Sequence, residues 1–513
     1  MPGSPYRPLT WIHQLRRHSE SDPNGVAIRH HGETTTWLQL QERAARFAHL
    51  LQSDGVGHGD RVVILLTNRS EYLDAVLGAN LVGAIAVPVN FRLTASEISY
   101  MVADSGATFL LSEESLAGAA AEAIATAPQA VTHLVVDGGS AWSDYATALA
   151  AAPTDAIVWP GALEDVALIM YTSGTTGAPK GAMLTYQNLM AQTLAMTEVY
   201  DLMSGDEISL ITSPLFHIAA LGAALPSIIF GHTTVITPTG AFEAETFLDL
   251  VESERVTTSF LVPTQWQAVC DSPTIADRSL SLKSIAWGAA PATPALLRRL
   301  NDTFPGVKVV SVFGQTEMSP NTCLLRGEDA VRKIGSIGTP LRHVQVRVVD
   351  PDMNDVPVGS VGEIVYRGPT VMRGYWNKPE ATADAFAGGW FHSGDLVRVD
   401  QEGYFYVVDR LKDMIISGGE NIYCAEVEAV IADHPLVRDV ALIGEPHPHW
   451  GETPIAIVTP SDATNPPREE EIIALCREKL ASFKKPSRVV VLADMPRNAS
   501  GKILKSHLRE LLG

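Results

Sequence analysis

Over its first 320 residues the chain alternates short apolar runs with stretches of helical spacing. That alternation restricts the fold to mainly parallel sheets covered by helices. Residues 60–66 (DRVVILL) predict a buried strand, 70–84 (SEYLDAVLGANLVGA) a helix, Ile85–Val89 a strand, Thr94–Ser105 a helix and Thr108–Leu111 a strand. The pattern resumes with strands at Val166–Met170, Ile208–Thr212, Thr233–Thr237, Thr258–Val262, Leu282–Trp287 and Val307–Phe313, with helices at 244–255 and 294–303. An Ala-rich stretch, 117–152, separates the two runs and predicts two α/β lobes. Past about residue 330 the texture changes. Short β-like runs such as Val344–Val349 and Gly362–Tyr366, broken by Gly and Pro, predict a small β-subdomain within 334–408. Residues 413–513 predict an α+β unit: a helix near 425–432, strands near 439–443 and 454–458, a helix at 468–481 and a strand at 488–492. The expected class is α/β. A large N-terminal domain of two α/β lobes plus a small β-subdomain spans 1–410, and a small α+β C-terminal domain spans 411–513.

Composition excludes several functions. Lys and Arg number 38 against 58 Asp and Glu, a formal net charge of −20. Non-specific nucleic-acid binding needs a basic footprint, so no nucleic-acid partner is expected. The four cysteines, Cys270, Cys323, Cys424 and Cys476, are far apart and form no CxxC pair. This argues against a disulfide scaffold or zinc knuckle and suits a reducing cytoplasm. The N-terminus, MPGSPYRPLTW, has no basic stretch followed by an apolar core, so no secretory signal is expected. The longest apolar stretches, Leu73–Val89 and Ile218–Phe230, are interrupted or too short to span a bilayer, which takes about 20 residues. A soluble cytoplasmic protein without a transmembrane segment is expected, and a homodimer is left open.

The segment most informative about chemistry is Tyr171–Gly181, YTSGTTGAPKG, directly after the apolar run Val166–Met170. It holds five hydroxyl side chains, three glycines and a lysine. Glycine lets backbone approach a phosphate, hydroxyls donate hydrogen bonds and lysine supplies a point charge. It is not a Walker A loop, because Pro179 precedes Lys180 and Gly181 follows it. Its place at the end of a buried strand is where α/β proteins bind ligands.

That string resembles the phosphate-binding signature of the adenylate-forming superfamily: acyl- and aryl-CoA synthetases, peptide-synthetase adenylation domains and beetle luciferases. The resemblance continues in the family's order through Gly288–Pro291 (GAAP), Phe313–Glu317 (FGQTE), Gly394–Asp395 (in FHSGDL), Asp409–Lys412 (DRLK), Ser417–Asn421 (SGGEN) and Pro496–Lys502 (PRNASGK), covering about 20–510. It implies that Thr172, Ser173, Gly174, Thr175, Thr176, Gly177 and Lys180 hold the ATP phosphates. Gly288, Ala289, Ala290, Pro291, Phe313, Gly314 and Gln315 would border the nucleotide, with Phe313 stacking on adenine where the family usually has Tyr. Thr316 would bond the α-phosphate, and Glu317 would offer a hard oxygen to Mg²⁺. Asp395 and Arg410 would hold the ribose.

The resemblance also places His217 (in PLFHIAAL), with Gly288 and Gly314, on the acyl pocket. Amino-acid-activating relatives carry Asp at the position of His217, so an α-ammonium has no partner here and an apolar acid is expected. Val262, Trp266 and Leu221 are candidates for apolar lining, with core packing the more frequent role for such residues. Lys502 takes the place of the family's catalytic lysine, which neutralises charge as the carboxylate attacks the α-phosphate. Lys412 falls at the hinge of a mobile C-terminal domain, and Ser417, Gly418 and Gly419 resemble the strand lining the CoA tunnel. The implied activity is an acyl-CoA synthetase using ATP, Mg²⁺ and CoA on a fatty or other apolar carboxylic acid. The alternatives are an aryl-CoA ligase for cinnamate- or benzoate-like acids and a non-catalytic protein that binds acyl-adenylate or ATP.

Overall fold

The computed structural model describes residues 10–512 except 156, 158, 160, 173–177, 201, 203–205, 291, 419 and 498–501, with the side chains of 140 and 198 also outside the description. The described residues form two compact units. One holds residues up to 345 together with 367–385, and the other holds 346–366 and 386–512.

The first unit contains two sheets. Seven strands make the first, in the order Gly374–Tyr375, Lys180–Thr185, Val166–Thr172, Ile85–Pro88, Arg61–Leu65, Phe109–Glu113 and Thr132–Val136. The last five are mutually parallel. Lys180–Thr185 runs antiparallel to its neighbour, and Gly374–Tyr375 antiparallel to it in turn. Val62–Leu65 and Phe109–Leu111 are wholly buried, which is why they read as continuous apolar runs. The helix Ser70–Leu81 is buried from Tyr72 to Leu81. Helix Ala95–Ser105 starts at a capping box in which Thr94 and Glu97 satisfy each other's backbone N–H, and it stops at Gly106, φ 64°.

The second sheet of this unit runs Ser336–Pro340, Asn321–Arg326, Lys308–Gly314, Ser284–Gly288, Thr258–Leu261, Ile208–Ile211, Thr233–Ile236, Val26–His30, Glu33–Thr36. Its six central strands are parallel. The expected partition into consecutive lobes is corrected here. The Ala-rich stretch is not a divider: it carries helix Glu114–Ala125, strand Thr132–Val136 and helix Tyr145–Ala151. Alanine is a strong helix former, and Ala117, Ala120 and Ala123 bury one face of that helix. Val166–Thr172 belongs to the first sheet, while the early strand Val26–His30 joins the second.

In the second unit, strands Gln345–Val349, Val361–Arg367, Phe391–Val399 and Phe405–Arg410 lie side by side. The rest builds around a long antiparallel pair, Val437–His447 with Gly451–Pro460, flanked by Ile415–Ser417, Glu420–Ile422 and Arg488–Val491. Helices Cys424–Ala432 and Glu469–Lys479 close a core of Ile415, Ile422, Val427, Ile431, Leu442 and Ile472. The β-strands expected to end the N-terminal domain therefore cluster with the C-terminal residues. Among the described residues no helix is long and apolar enough to cross a membrane.

Candidate active site

In the first unit the phosphate-loop motif falls between two antiparallel strands, with Tyr171 opposite Gly181 and Thr172 opposite Lys180. Ser173, Gly174, Thr175, Thr176 and Gly177 lie outside the described residues. Both flanks are tied to helix Ala95–Ser105. The Tyr171 hydroxyl donates to Asp104 Oδ2 at 2.8 Å, and the Tyr100 hydroxyl donates to the Pro179 carbonyl at 3.0 Å. Lys378 Nζ meets Asp104 Oδ1 at 2.7 Å.

FGQTE ends strand Lys308–Gly314 and opens a single 3₁₀ turn, Thr316–Met318. Gly314 is required by backbone: a Cβ there would lie 1.9 Å from the Pro320 carbonyl oxygen. Gln315 N–H donates to that same oxygen at 2.8 Å. The turn delivers a buried Glu317. Its backbone carbonyl accepts from Met372 N–H at 2.7 Å. Its carboxylate Oε1 accepts from the Tyr375 hydroxyl at 3.0 Å and the Thr172 hydroxyl at 3.4 Å. Lys180 Nζ sits 5.2 Å from the centre of the Tyr375 ring, a cation–π distance. Burial, then the Glu317 charge, push the Tyr375 phenol's pKa up, so it stays protonated and donates. The structure thus assembles Thr172, Lys180 and Glu317, with Thr316 beside them. It adds Tyr375, which no local signal marks, because only pairing with Ala182 across the sheet edge brings it here.

Glu317 also fits a magnesium site. Mg²⁺ is usually bound by one or two carboxylates plus substrate phosphates and water, and one Glu317 oxygen is already engaged by hydroxyls while the other has no hydrogen bond among the described residues. No cluster of three His, Cys, Asp or Glu placed to hold a metal exists among the described residues, and the four cysteines are free and buried.

Gly288 ends strand Ser284–Gly288, opposite Val312. A Cβ on Gly288 would meet the Val312 carbonyl oxygen at 2.5 Å. Its small size, like that of Gly314, answers a backbone contact. Ala289 is exposed with φ 64°, Ala290 is exposed, and Pro291 lies outside the described residues. Phe313 is half-buried at the end of its strand. These positions share the C-terminal ends of adjacent parallel strands, the usual ligand edge of such sheets.

His217 caps helix Ile218–Phe230 by backbone position, without a side-chain cap bond. Its ring lies 4.3 Å from that of Phe216, which packs edge-on to Phe91 at 5.5 Å. Burial, then Arg92, lower its pKa to about 4, so the imidazole is neutral at pH 7. Along the same helix runs a narrow cavity lined by Ala219 and Ala223, with Met196, Tyr200, Ile211 and Phe260 around it. Val262, Leu221 and Trp266 are not among its lining residues. Trp266 is a core residue: it is wholly buried, its Nε1–H donates to the Ala286 carbonyl at 2.9 Å, and its ring meets Phe247 and Phe304 edge-on.

In the second unit Asp395 and Arg410 face each other across an antiparallel pair, with Nε to Oδ1 at 2.6 Å. Gly394, inside strand Phe391–Val399, takes a left-handed φ of 70°, and its N–H donates to Glu363 at 2.8 Å. Lys502 is exposed overall, yet protein atoms packed about it, then Arg410, lower its pKa. Burial lowers that of Lys412, with Lys502 and Arg410 adding to the effect against the opposing charge of Asp413. Arg410, Lys412 and Lys502 thus act on one another's charge, with Asp395 and Asp413 opposing them. Ser417 pairs with Gly451, and Gly418 N–H donates to the Trp450 carbonyl at 2.8 Å. A Cβ on Gly418 would meet the Trp450 ring at 2.8 Å, so this glycine admits an indole. Gly419 lies outside the described residues.

Comparison with known proteins gives two family matches: the AMP-binding enzyme model over residues 15–376 and the AMP-binding enzyme C-terminal domain over 426–502. The chain is 42% identical to a feruloyl-CoA synthase of an Amycolatopsis species, over 97% of this chain and 98% of that protein. It is 37% identical to the long-chain-fatty-acid–CoA ligase FadD13 of Mycobacterium tuberculosis, over 93% and 92%. Among solved structures it resembles the o-succinylbenzoate CoA synthetase MenE of Bacillus subtilis in complex with its acyl-adenylate intermediate, at TM-score 0.86 and 32% identity over 97% of each chain. The same enzyme in complex with ATP and magnesium ion matches equally, at TM-score 0.86 over 97% of this chain and 99% of that one.

Proposed function

This chain belongs to the AMP-binding enzyme family and is an AMP-forming CoA ligase that works through an acyl-adenylate; we propose that its preferred acid is aromatic, of the hydroxycinnamate kind. The observation that carries the aromatic reading is the 42% identity to a feruloyl-CoA synthase over 97% of this chain. Beside the helix that follows His217 lies a small cavity lined by Ala219, Ala223, Met196, Tyr200 and Phe260, side chains that suit a flat apolar group. The 37% identity to a fatty-acid ligase keeps fatty acids as the competing substrates.

ATP and CoA are the co-substrates and Mg²⁺ the metal. In the first step a carboxylate oxygen attacks the α-phosphorus, the bond to the β-phosphate oxygen breaks, and pyrophosphate leaves. Lys180 and Thr172 flank the leaving phosphates, and Thr316 bonds the α-phosphate. Magnesium, held through Glu317, would offset phosphate charge. Gly288, Ala289, Ala290, Gly314 and Gln315 border the nucleotide, Phe313 stacks on adenine, and Asp395 with Arg410 holds the ribose hydroxyls. His217, neutral, can hydrogen-bond the acid's carboxylate but cannot pair with it as a cation. Lys502 serves adenylation. In the second step the CoA thiolate attacks the mixed anhydride and AMP leaves. With a thiol pKa of about 8.5 a few per cent is already thiolate near neutrality. The residues after 410, pivoting near Lys412, exchange Lys502 for the Ser417–Gly418 strand between the two steps.

The test is a panel of acids assayed for CoA-dependent AMP release. Ferulate and coumarate should exceed octanoate and palmitate by about tenfold or more in kcat/KM. If palmitate outran the aryl acids, the aromatic reading would fail while the ligase chemistry stood.

A further inference from the structure

The candidate site holds a cation and an anion that have opposite tasks and would neutralise each other if they met. Lys180 must stay available to phosphate, and Glu317 to a metal. Side chains of both lie within reach of one residue, Tyr375: its hydroxyl is 3.0 Å from Glu317 Oε1, and its ring face is 5.2 Å from Lys180 Nζ. Among the described residues Lys180 has no carboxylate partner, and Glu317 has no cationic one.

The ring is held from several directions. Tyr375 pairs with Ala182, two residues from Lys180 on the same strand. Its N–H donates to the Thr382 hydroxyl at 2.9 Å. Met372, three residues earlier, donates its N–H to the Glu317 carbonyl at 2.7 Å. The next residue, Trp376, donates its N–H to the Gly181 carbonyl at 2.8 Å. One short segment therefore grips both the strand bearing Lys180 and the turn bearing Glu317.

We propose that Tyr375 is a positioning residue, a spacer whose hydroxyl fixes one oxygen of Glu317 so that the other faces the metal, and whose ring keeps the Lys180 ammonium from closing on that carboxylate. The proposal rests on the reading of Glu317 as the metal carboxylate. It assigns the hydroxyl and the ring separable duties. Losing the hydroxyl alone should loosen the carboxylate and weaken metal binding. Losing the ring should also let Lys180 and Glu317 pair, withdrawing the lysine from phosphate.

Three variants test it. Mn²⁺ binding to enzyme plus ATP, without acid, is followed by electron paramagnetic resonance, and the Mg²⁺ and pyrophosphate dependence of exchange into ATP is measured alongside. Tyr375→Phe should weaken Mn²⁺ binding and raise the Mg²⁺ requirement by about tenfold, the size expected for one hydrogen bond to a charged group. Its kcat at saturating Mg²⁺ should stay near wild type, a split that general loosening of the fold would not produce. Tyr375→Leu should in addition raise the KM for pyrophosphate. Glu317→Gln calibrates both. If Glu317→Gln left Mn²⁺ affinity unchanged, the metal reading would fall and this proposal with it. If Glu317→Gln weakened Mn²⁺ binding while Tyr375→Phe behaved as wild type, the role of Tyr375 alone would be overturned. Unchanged pyrophosphate KM in Tyr375→Leu would overturn the spacer.

Discussion

At the scale of single residues, His217 shows how burial decides chemistry that a letter in a sequence leaves open. A histidine beside a carboxylate pocket could be a cation that binds the acid or a neutral group that orients it. Burial, then Arg92, favour the neutral ring by lowering its pKa to about 4. The unfolded histidine titrates near 6.5 and the folded one near 4, so the unfolded state takes up a proton first as pH falls. Stability contributed by the neutral ring is fully present above the unfolded value and is lost as pH drops from about 6.5 towards 4, by up to about 3 kcal/mol. His217→Phe should flatten part of that acid slope in denaturant titrations between pH 4 and 7. An NMR titration of the wild-type ring should show its midpoint well below 6; a midpoint near 6.5 would refute the neutral assignment. Tyr375 is the opposite case. Nothing near it in sequence names it, because its meaning depends on Ala182 and Glu317, both distant in the chain.

Elements explain where glycine and alanine mislead. By resemblance alone, Gly288 and Gly314 border the acyl pocket. Strand pairing gives them another duty: the carbonyls of Val312 and Pro320 come too close for any Cβ. Gly288→Leu should therefore disturb the pairing of Ser284–Gly288 with Lys308–Gly314 and destabilise the protein by about 1–3 kcal/mol. It should lower activity towards all acids alike. Ala223→Leu, which adds bulk to a cavity-lining position on a helix, should instead shift preference towards smaller acids with little change in melting temperature. Thermal melts and the acid panel separate the two; a selective effect from Gly288→Leu would reverse the assignment. Strand positions were legible because short, wholly buried runs rich in β-branched residues, such as Val62–Leu65, favour a strand. The Ala-rich stretch misled because alanine marks a helix packed closely on a sheet as readily as it marks a spacer. Likewise, the strands of 346–366 read as an appendage of the N-terminal lobes, although their contacts run to the residues from 386 onward.

For the whole molecule, the order of the motifs along the chain made the chemistry readable, and those motifs are distributed over two compact units. Thr172, Lys180, Glu317 and His217 belong to one unit, and Asp395, Arg410, Lys412 and Lys502 to the other. Lys502→Ala should cut adenylation by about 10²–10³-fold, as for loss of one transition-state donor. It should still convert supplied acyl-adenylate and CoA to thioester. Acyl-CoA formation from synthetic adenylate is the measurement. An equal loss in both steps would favour a single fixed arrangement over an exchange of residues about Lys412.

The way the two sheets share the chain also bears on its birth. Ile28 must pair with Thr234, about 200 residues later. At ribosomal speeds of roughly 5–20 residues per second, that partner arrives about 10–40 s after the strand itself. Throughout this interval the first sheet can gather its parallel strands from Arg61 to Thr172, while Val26–His30 has only the antiparallel Glu33–Thr36 beside it. Val26–His30 thus waits longer than any other strand of this unit's second sheet for its parallel neighbour, and it is there that a chaperone would find its longest opportunity.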